Sequence, residues 1–146
     1  MIKINYPTIK PKVRRSETNE EIFCLIRKKW LVITPEEWVR QNFLLYLIHE
    51  LKYPASLISV EKKISIGELN RRFDIVVYSK NMQPLIVVEC KEMEVILSEA
   101  TILQVLRYNT ELQATFLVVT NGISCAAFEK TNTGFIEIQS IPMNAI

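Results

Sequence analysis

The sequence has few of the residues on which several common kinds of site depend. It holds one histidine, three cysteines and three glycines in 146 residues. One histidine cannot build a multi-histidine metal site, and so few glycines argue against a collagen-like or low-complexity chain. Cys24, Cys90 and Cys125 lie far apart and lack the close spacing of a zinc site, so we expect reduced, buried thiols. Any metal must therefore be held by oxygen.

Long apolar runs are also missing. The uninterrupted runs, such as 85–88 and 116–119, are far shorter than the roughly 20 residues of a membrane-spanning helix. The basic residues near the N-terminus are not followed by an apolar stretch of signal-peptide length. We therefore expect a cytoplasmic protein that makes no membrane contact, and its length suits one domain.

Charge is unevenly distributed, although the net charge is only +2. Residues 1–30 carry eight Lys or Arg and three Glu, an excess of +5, whereas the remaining ten basic and 13 acidic residues give −3. The basic residues near the N-terminus are interpreted either as phosphate contacts or as a solvated, partly disordered terminus, and we favour the second. We expect residues 1–20 to form a basic, flexible arm and residues 21–146 a single domain.

The order of predicted elements indicates an α/β (α+β) fold, with a mixed sheet flanked by helices. Residues 34–37 have the pattern of a helix start, with Thr as N-cap, Pro at the first position and Glu at the capping-box position, and the helix should end near Leu51. Ser98 offers the N-cap of a second helix over about 99–112, and the pair 121–122 suits a tight hairpin turn. The predicted order is helix-strand-strand-strand-helix-strand-strand, with strands at 57–66, 72–78, 84–91, 115–120 and 123–128, preceded by an edge hairpin at 23–33 and followed by a short strand at 135–138.

One acidic strand and one Glu-x-Lys strand carry the candidate site. Asp74 is the sole aspartate and interrupts an apolar strand, where a charge is costly to bury. Glu89 and Lys91 interrupt the next strand and project from one face, because they are two residues apart. If the hairpin turns between residues 81 and 82, paired positions sum to 163 and Asp74 lies across from Glu89. Facing carboxylates repel each other, so a divalent cation between them is expected, and Asp74→Asn should preserve or raise stability without metal.

Mg2+ or Mn2+ suits this pair of acids, because these ions take one or two carboxylates together with water and phosphate oxygens. The backbone carbonyl of Cys90 could add a third ligand. Lys91 could orient the attacking water or neutralise the transition state, which is the chemistry of phosphodiester hydrolysis. The alternative is a solvated salt-bridge cluster in which Lys91 and Arg72 balance the acids. Spacing alone leaves the two interpretations about even.

Two helices offer supporting residues. Gln104 and Tyr108 are four apart, so they share a helix face and could hold the ligand shell or a phosphate. An ordinary polar helix edge explains them as well. Glu37 could reach the site from the first helix, although its capping position accounts for it equally.

Five stretches of the sequence carry a family resemblance. In chain order, they resemble the first-helix signature, the first acidic strand, the Glu-x-Lys strand, the glutamine and tyrosine motif and the following turn of one nuclease domain. That domain is the N-terminal nuclease domain of type I restriction enzyme R subunits, within the PD-(D/E)XK superfamily. The stretches are 34–41, 71–76, 87–91, 104–109 and 120–122.

This resemblance implies a restriction-endonuclease-like fold and an Mg2+-dependent endonuclease, a hydrolase that cleaves DNA. Phe73 replaces the proline of the superfamily's name, a departure common in such domains. Large family members continue into an ATP-driven translocase, but these 146 residues contain no Gly-rich phosphate loop, so the resemblance covers the domain alone and ATP-dependent restriction is not implied. The implied roles are Asp74 and Glu89 as metal ligands, Lys91 as catalytic lysine, Gln104 and Tyr108 as supporting residues and Glu37 as an auxiliary acid.

Three functions stay open on the sequence, because a fold alone does not establish an activity. The first is a metal-dependent deoxyribonuclease whose specificity comes from restriction or repair partner proteins. The second is a non-catalytic DNA-binding or assembly module that retains the nuclease fold, which the basic arm and the missing motor favour. The third is a nuclease that acts on RNA. Analogy with other nucleases of this fold also favours a homodimer.

Overall fold

The computed structural model describes residues 1–145, which form ten strands and two α-helices. The helices are α1 (Pro35–Leu45) and α2 (Glu99–Tyr108). The strands are β1 (Ile2–Lys3), β2 (Val13–Arg15), β3 (Glu20–Cys24), β4 (Lys29–Val32), β5 (Ile58–Ile66), β6 (Leu69–Tyr78), β7 (Pro84–Cys90), β8 (Phe116–Thr120), β9 (Ser124–Thr131) and β10 (Gly134–Ile138).

A mixed seven-stranded sheet forms the centre of the fold. Its order is β1-β9-β8-β7-β6-β5, and β10 also pairs with β9. Strands β7 and β8 run parallel and are connected through α2, whereas the other neighbouring strands run antiparallel. The arrangement confirms the predicted α+β class with a mixed sheet flanked by helices. The predicted hairpin at 23–33 is present as β3 and β4, which join β2 in a separate three-stranded sheet.

Helix α1 begins where the sequence predicts. The Thr34 hydroxyl accepts the backbone N–H of Glu37 at 3.0 Å, and Pro35 opens the helix. The capping box is only half formed, because the Glu37 carboxylate accepts hydrogen bonds from side chains further along the helix. A π-helical turn, Tyr46–Glu50, continues α1 and brings the helical segment to the predicted end near Leu51.

Helix α2 begins at its predicted N-cap but ends earlier than expected. Ser98 accepts the backbone N–H of Thr101 at 3.2 Å, whereas the helix ends at Tyr108 rather than near residue 112. Asn109 leaves the helical conformation, and its side-chain amide donates to the Val105 carbonyl at 2.7 Å. This local hydrogen bond competes with the next helical turn, as asparagine side chains commonly do.

Each face of the central sheet has its own apolar core. Alternate residues of β7 divide between them: Val88 packs with α1 on one face, and Val87 packs with Val105 of α2 on the other. We call these faces the α1 side and the α2 side. All three cysteines are buried and free, as the sequence predicts. Within residues 1–145, no helix combines the length and the apolar character that crossing a bilayer requires.

The β6–β7 hairpin has the register that the sequence predicts. Ile75 pairs with Val88 and Val76 with Val87, so paired positions sum to 163 along the body of the hairpin. Near the turn the register shifts after Val77. In the body of the hairpin, the apolar patterning of the two strands therefore fixes which residues lie opposite each other.

Strand β5 changes faces in its middle. Val60 packs on the α1 side and Ile64 on the α2 side, although residues four apart in a regular strand share a face. The change occurs at Glu61, whose φ of 52° is unusual for a residue with a side chain. Pairing with β6 resumes in the same register on both sides of Glu61, so the irregularity is local.

Candidate active site

Asp74 lies in β6 next to the Glu-x-Lys segment of β7. Its Oδ2 accepts the backbone N–H of Cys90 at 2.8 Å, which places the aspartate against the peptide that follows Glu89. Its Oδ1 accepts a hydrogen bond from Arg40 of α1 at 2.7 Å. The structure therefore brings the acidic strand, the Glu-x-Lys strand and the first helix together, as the sequence predicts.

The carboxylate of Asp74 is turned to the α1 side. Phe73 packs in the core of the α2 side and Ile75 in the core of the α1 side, although residues two apart in a regular strand share a face, so the alternation of β6 is broken at Asp74. The carboxylate contacts α1 at this break in β6, opposite the irregular position in β5, where Asp74 has no regular ladder pair. This local change of face decides which partners Asp74 meets.

Arg40 joins Asp74 to a buried acid of α1. One guanidinium nitrogen donates to Glu37 at 2.8 Å, and the other donates to Asp74 at 2.7 Å. Glu37 also accepts from the Gln41 amide at 3.0 Å, and both Glu37 and Arg40 are buried. Removing one member of such a buried pair leaves an uncompensated charge, so this contact has structural weight.

Glu36, rather than Glu37, is the more exposed acid of α1 beside Asp74. Its carboxylate lies 3.6 Å from Arg40 and is half exposed. Partial burial and the negative charge of Asp74 raise the pKa of Glu36, whereas the positive charges of Arg40 and Lys91 act in the opposite direction. The backbone N–H of Lys91 donates a 2.7 Å hydrogen bond to the Thr120 carbonyl, which fixes the end of β7 where Lys91 lies.

Negative charge exceeds positive charge around Arg40. Arg40 and Arg27 form an ion-pair cluster with four carboxylates. When all six groups are ionised, the two positive and four negative charges give the cluster a formal charge of −2. With Lys91 added, one negative charge stays in excess. Nε of Arg40 and Nε and Nη2 of Arg27 are buried without a hydrogen-bond partner among the described residues. The carboxylates of this cluster belong to Glu36, Glu37, Glu61 and Asp74.

Glu89 has a separate arginine partner on the α2 side. Its carboxylate accepts from Arg71 of β6 at 3.2 Å. Arg71 also donates to the side chain of Asn109 and to the backbone carbonyl of Tyr108, both at 3.3 Å. Arg71 therefore connects Glu89 to the C-terminal end of α2.

The predicted helical pair lies at the surface of α2. Tyr108 is 63% exposed, and the guanidinium of Arg71 lies 5.6 Å from its ring centroid. Gln104 is exposed and lines an open cavity of about 490 Å³ together with Ala100, Arg107 and Tyr108. Tyr108 is thus connected to Glu89 through Arg71, whereas Gln104 has no hydrogen bond to either acid within residues 1–145.

The two acids do not face each other as the sequence analysis expected. The register is as predicted, but Asp74 contacts Arg40 on the α1 side and Glu89 contacts Arg71 on the α2 side. The salt-bridge alternative also had the wrong cations, since it assigned Lys91 and Arg72 to balance the acids. Each carboxylate instead forms an ion pair with an arginine that the sequence analysis did not assign to the site.

The donor chemistry around Asp74 fits a hard divalent cation. The available ligands are carboxylates, and burial together with the charge of Asp74 raises the pKa of the Cys90 thiol, so this cysteine stays neutral and cannot supply a thiolate. Among residues 1–145, no group of three acidic, cysteine or histidine side chains is arranged so that it could hold one metal ion. The arginines occupy the places at which a cation would neutralise these acids.

Asp74→Asn is now expected to destabilise the protein, which reverses the expectation from the sequence. The asparagine would keep an acceptor for Cys90 but would remove the shortest of the ion pairs of buried Arg40, at a cost of about 1 to 3 kcal/mol. Urea denaturation in EDTA measures the change, and Glu20→Gln, which removes an exposed ion pair with Arg15, serves as the control. Stabilisation by Asp74→Asn would show that carboxylate repulsion outweighs the Arg40 contact.

The sequence analysis missed three residues of this site. Arg40 is three residues after Glu37 and four after Glu36, so helical spacing alone places it beside both acids. Arg71 gives a weaker signal, because its contacts with Glu89 and Asn109 join residues that are 18 and 38 positions apart in the chain. Glu36 could be distinguished from Glu37 only by the rotation of α1, which depends on packing.

One comparison with known protein families gives a match. The model of the family described as type I restriction enzyme R protein N terminus matches residues 35–142. The match includes both helices and every residue of the site named above except Arg27. A comparison with curated proteins gives no match.

Proposed function

Because the chain belongs to the type I restriction enzyme R protein N-terminus family, we propose that it is an Mg2+-dependent endonuclease that hydrolyses phosphodiester bonds of DNA. The observation that carries the proposal is the contact between Asp74 and the Cys90 amide, which joins the acidic strand to the Glu-x-Lys segment. Lys91 follows Cys90 directly in the chain, and its positive charge opposes the rise that burial causes in the pKa of Glu36. The chain therefore concentrates carboxylates and one lysine at a single place.

Asp74 and Glu89 are the proposed ligands of Mg2+ or Mn2+, with the Cys90 carbonyl as a third. Their oxygen donors and the negative charge in excess around Arg40 favour a divalent cation. When bound, such an ion lowers the pKa of a coordinated water and stabilises negative charge on a phosphate. Binding by both acids requires side-chain movement, because Arg40 and Arg71 hold them on different sides of the sheet.

Lys91 is the proposed catalytic residue. Its ammonium takes part in none of the salt bridges that residues 1–145 form. A positive charge that is not committed to a structural partner can stabilise the charge that develops on the scissile phosphate, or it can orient the attacking water. The other acids around Asp74 are held by Arg27 and Arg40, so Lys91 is the cation best placed to act on substrate. Gln104, Tyr108 and Glu37 keep their proposed supporting roles.

Plasmid cleavage tests the proposal. We expect the purified protein to nick or linearise supercoiled plasmid with Mg2+ or Mn2+ and to leave it intact in EDTA. A Lys91→Ala preparation made in the same way shows whether the cleavage belongs to this chain and not to a contaminant. Equal cleavage in EDTA, or equal cleavage by the variant, would contradict the proposal.

A non-catalytic DNA-binding or assembly module is the second candidate. The observation in its favour is that Asp74 and Glu89 each already hold an arginine, so the acids are balanced without a metal. This candidate predicts DNA binding that is unchanged by EDTA, together with intact plasmid for both proteins. An RNA substrate is tested in the same assay with a labelled RNA of matched length.

We also propose that the protein acts in the cytoplasm with restriction or repair proteins as partners. Three buried, free cysteines are typical of a reducing compartment. Partner subunits would supply sequence specificity, because the site itself offers only groups that act on phosphates. The homodimer expected by analogy stays a prediction, and sedimentation velocity tests it.

A further inference from the structure

Two arginines hold the acids of the site, but they hold them with different strength. Arg40 is 6% exposed and donates to Asp74 at 2.7 Å, a short charge-assisted bond. The side chain of Arg71 is 31% exposed, and its three hydrogen bonds are 3.2 to 3.3 Å long, at the weak end of the normal range. Arg71 is therefore the partner that can leave at low cost.

The surroundings of Arg71 offer it a second position. Its guanidinium lies 5.6 Å from the ring centroid of exposed Tyr108, a distance at which a cation is attracted to the face of the ring. Tyr108 lines the open cavity of about 490 Å³, and Arg107 adds a second exposed cation there. Arg107 and the exposed ring of Tyr108 line the cavity, and Arg71 contacts Tyr108 from beside it, a combination that suits a backbone phosphate and its neighbouring base.

We propose that Arg71 is an exchangeable counter-ion of Glu89. It pairs with Glu89 in the absence of metal, and when a divalent cation binds Glu89 it turns to a DNA backbone phosphate held between Arg71, Arg107 and Tyr108. The inference rests on the proposed function, since it requires metal at Glu89 and DNA as ligand. Its consequence is coupling: metal binding frees the arginine that DNA binding uses.

The exchange predicts effects of opposite sign for one substitution. Arg71→Gln removes the group that competes with metal for Glu89, so Mn2+ should bind about three- to fivefold more tightly, the equivalent of one partly exposed ion pair. The same variant loses a charged contact to phosphate, so DNA should bind about tenfold more weakly when a divalent cation is present. If the two effects came only from the lower net charge of the protein, substitution of a neighbouring arginine would produce them equally.

Arg72→Gln is the matched control. Arg72 is the next residue, carries the same charge and is exposed, but it forms none of the salt bridges among residues 1–145. Mn2+ binding is measured by electron paramagnetic resonance, and binding of a fluorescent DNA duplex is measured by anisotropy with Ca2+ in place of Mg2+. Thermal melts of all variants confirm that they are folded.

Each outcome decides between the exchange and its rivals. If neither the wild type nor any variant binds Mn2+, the proposed function fails and the exchange fails with it. If the wild type binds Mn2+ but Arg71→Gln binds no more tightly than Arg72→Gln, the exchange alone is overturned. If Arg71→Gln does not fold, Arg71→Lys replaces it. We then expect smaller changes in the same directions, with tighter Mn2+ binding and weaker DNA binding. Unchanged Mn2+ and DNA binding in Arg71→Lys would then overturn the exchange.

Discussion

Lys91→Ala is expected to cleave supercoiled plasmid about 100- to 1,000-fold more slowly than the wild type, the usual effect of removing one group that stabilises transition-state charge. The large effect follows from the position of Lys91, which lies close enough to Glu36 to act on its pKa yet belongs to no salt bridge among the described residues. The nicking rate at saturating Mg2+ measures the loss.

Lys63→Ala provides the matched control for this prediction. Lys63 is an exposed lysine of β5, so its removal changes the net charge equally but leaves the candidate active site untouched. Both variants should bind labelled duplex within about threefold of the wild type in Ca2+, because one exposed cation contributes modestly to phosphate binding. If Lys63→Ala loses as much cleavage as Lys91→Ala, the loss reflects weaker DNA binding, and Lys91 is not catalytic.

Local patterning was enough to predict strands β3 to β10 and the β6–β7 register, although it did not predict β1 and β2. The apolar runs of both strands favour one pairing, and Ile75 does pair with Val88, although the shift after Val77 displaces the predicted turn by one residue on one strand. Both helix starts followed from their N-caps, Thr34 and Ser98. These features depend on neighbours in sequence, so they could be deduced without knowledge of packing.

The orientation of Asp74 could not be deduced in the same way. It depends on a change of face in β5 at Glu61, where a residue with a side chain adopts a positive φ. Strand β6 also changes face, at Asp74, but the apolar residues on both sides of Asp74 do not show this change in the sequence. The same limit applies to Arg71 and Glu89, whose contact joins residues 18 positions apart in sequence. Strand pairing was therefore predictable, whereas the cations that meet the acids were not.

Arg40→Met is expected to lower the free energy of unfolding by about 3 to 5 kcal/mol, because it removes one partner of buried ion pairs and leaves the others uncompensated. Arg40 is 6% exposed and donates to both Glu37 and Asp74. For a chain of this length, the loss corresponds to a fall in Tm of roughly 6 to 20 °C. Arg15→Met is the control, because Arg15 is exposed and its ion pair with Glu20 should contribute under about 1 kcal/mol.

A double variant identifies the cause of that loss. In the wild type, Asp74→Asn removes one charged partner of buried Arg40 and destabilises the protein. In the Arg40→Met background the same change removes an uncompensated carboxylate, so it should restore part of the stability, about 1 kcal/mol or more. Differential scanning calorimetry of the four proteins at one pH in EDTA gives the coupling. Additive losses would mean that Arg40 stabilises the fold through packing of its apolar stem and not through its charge.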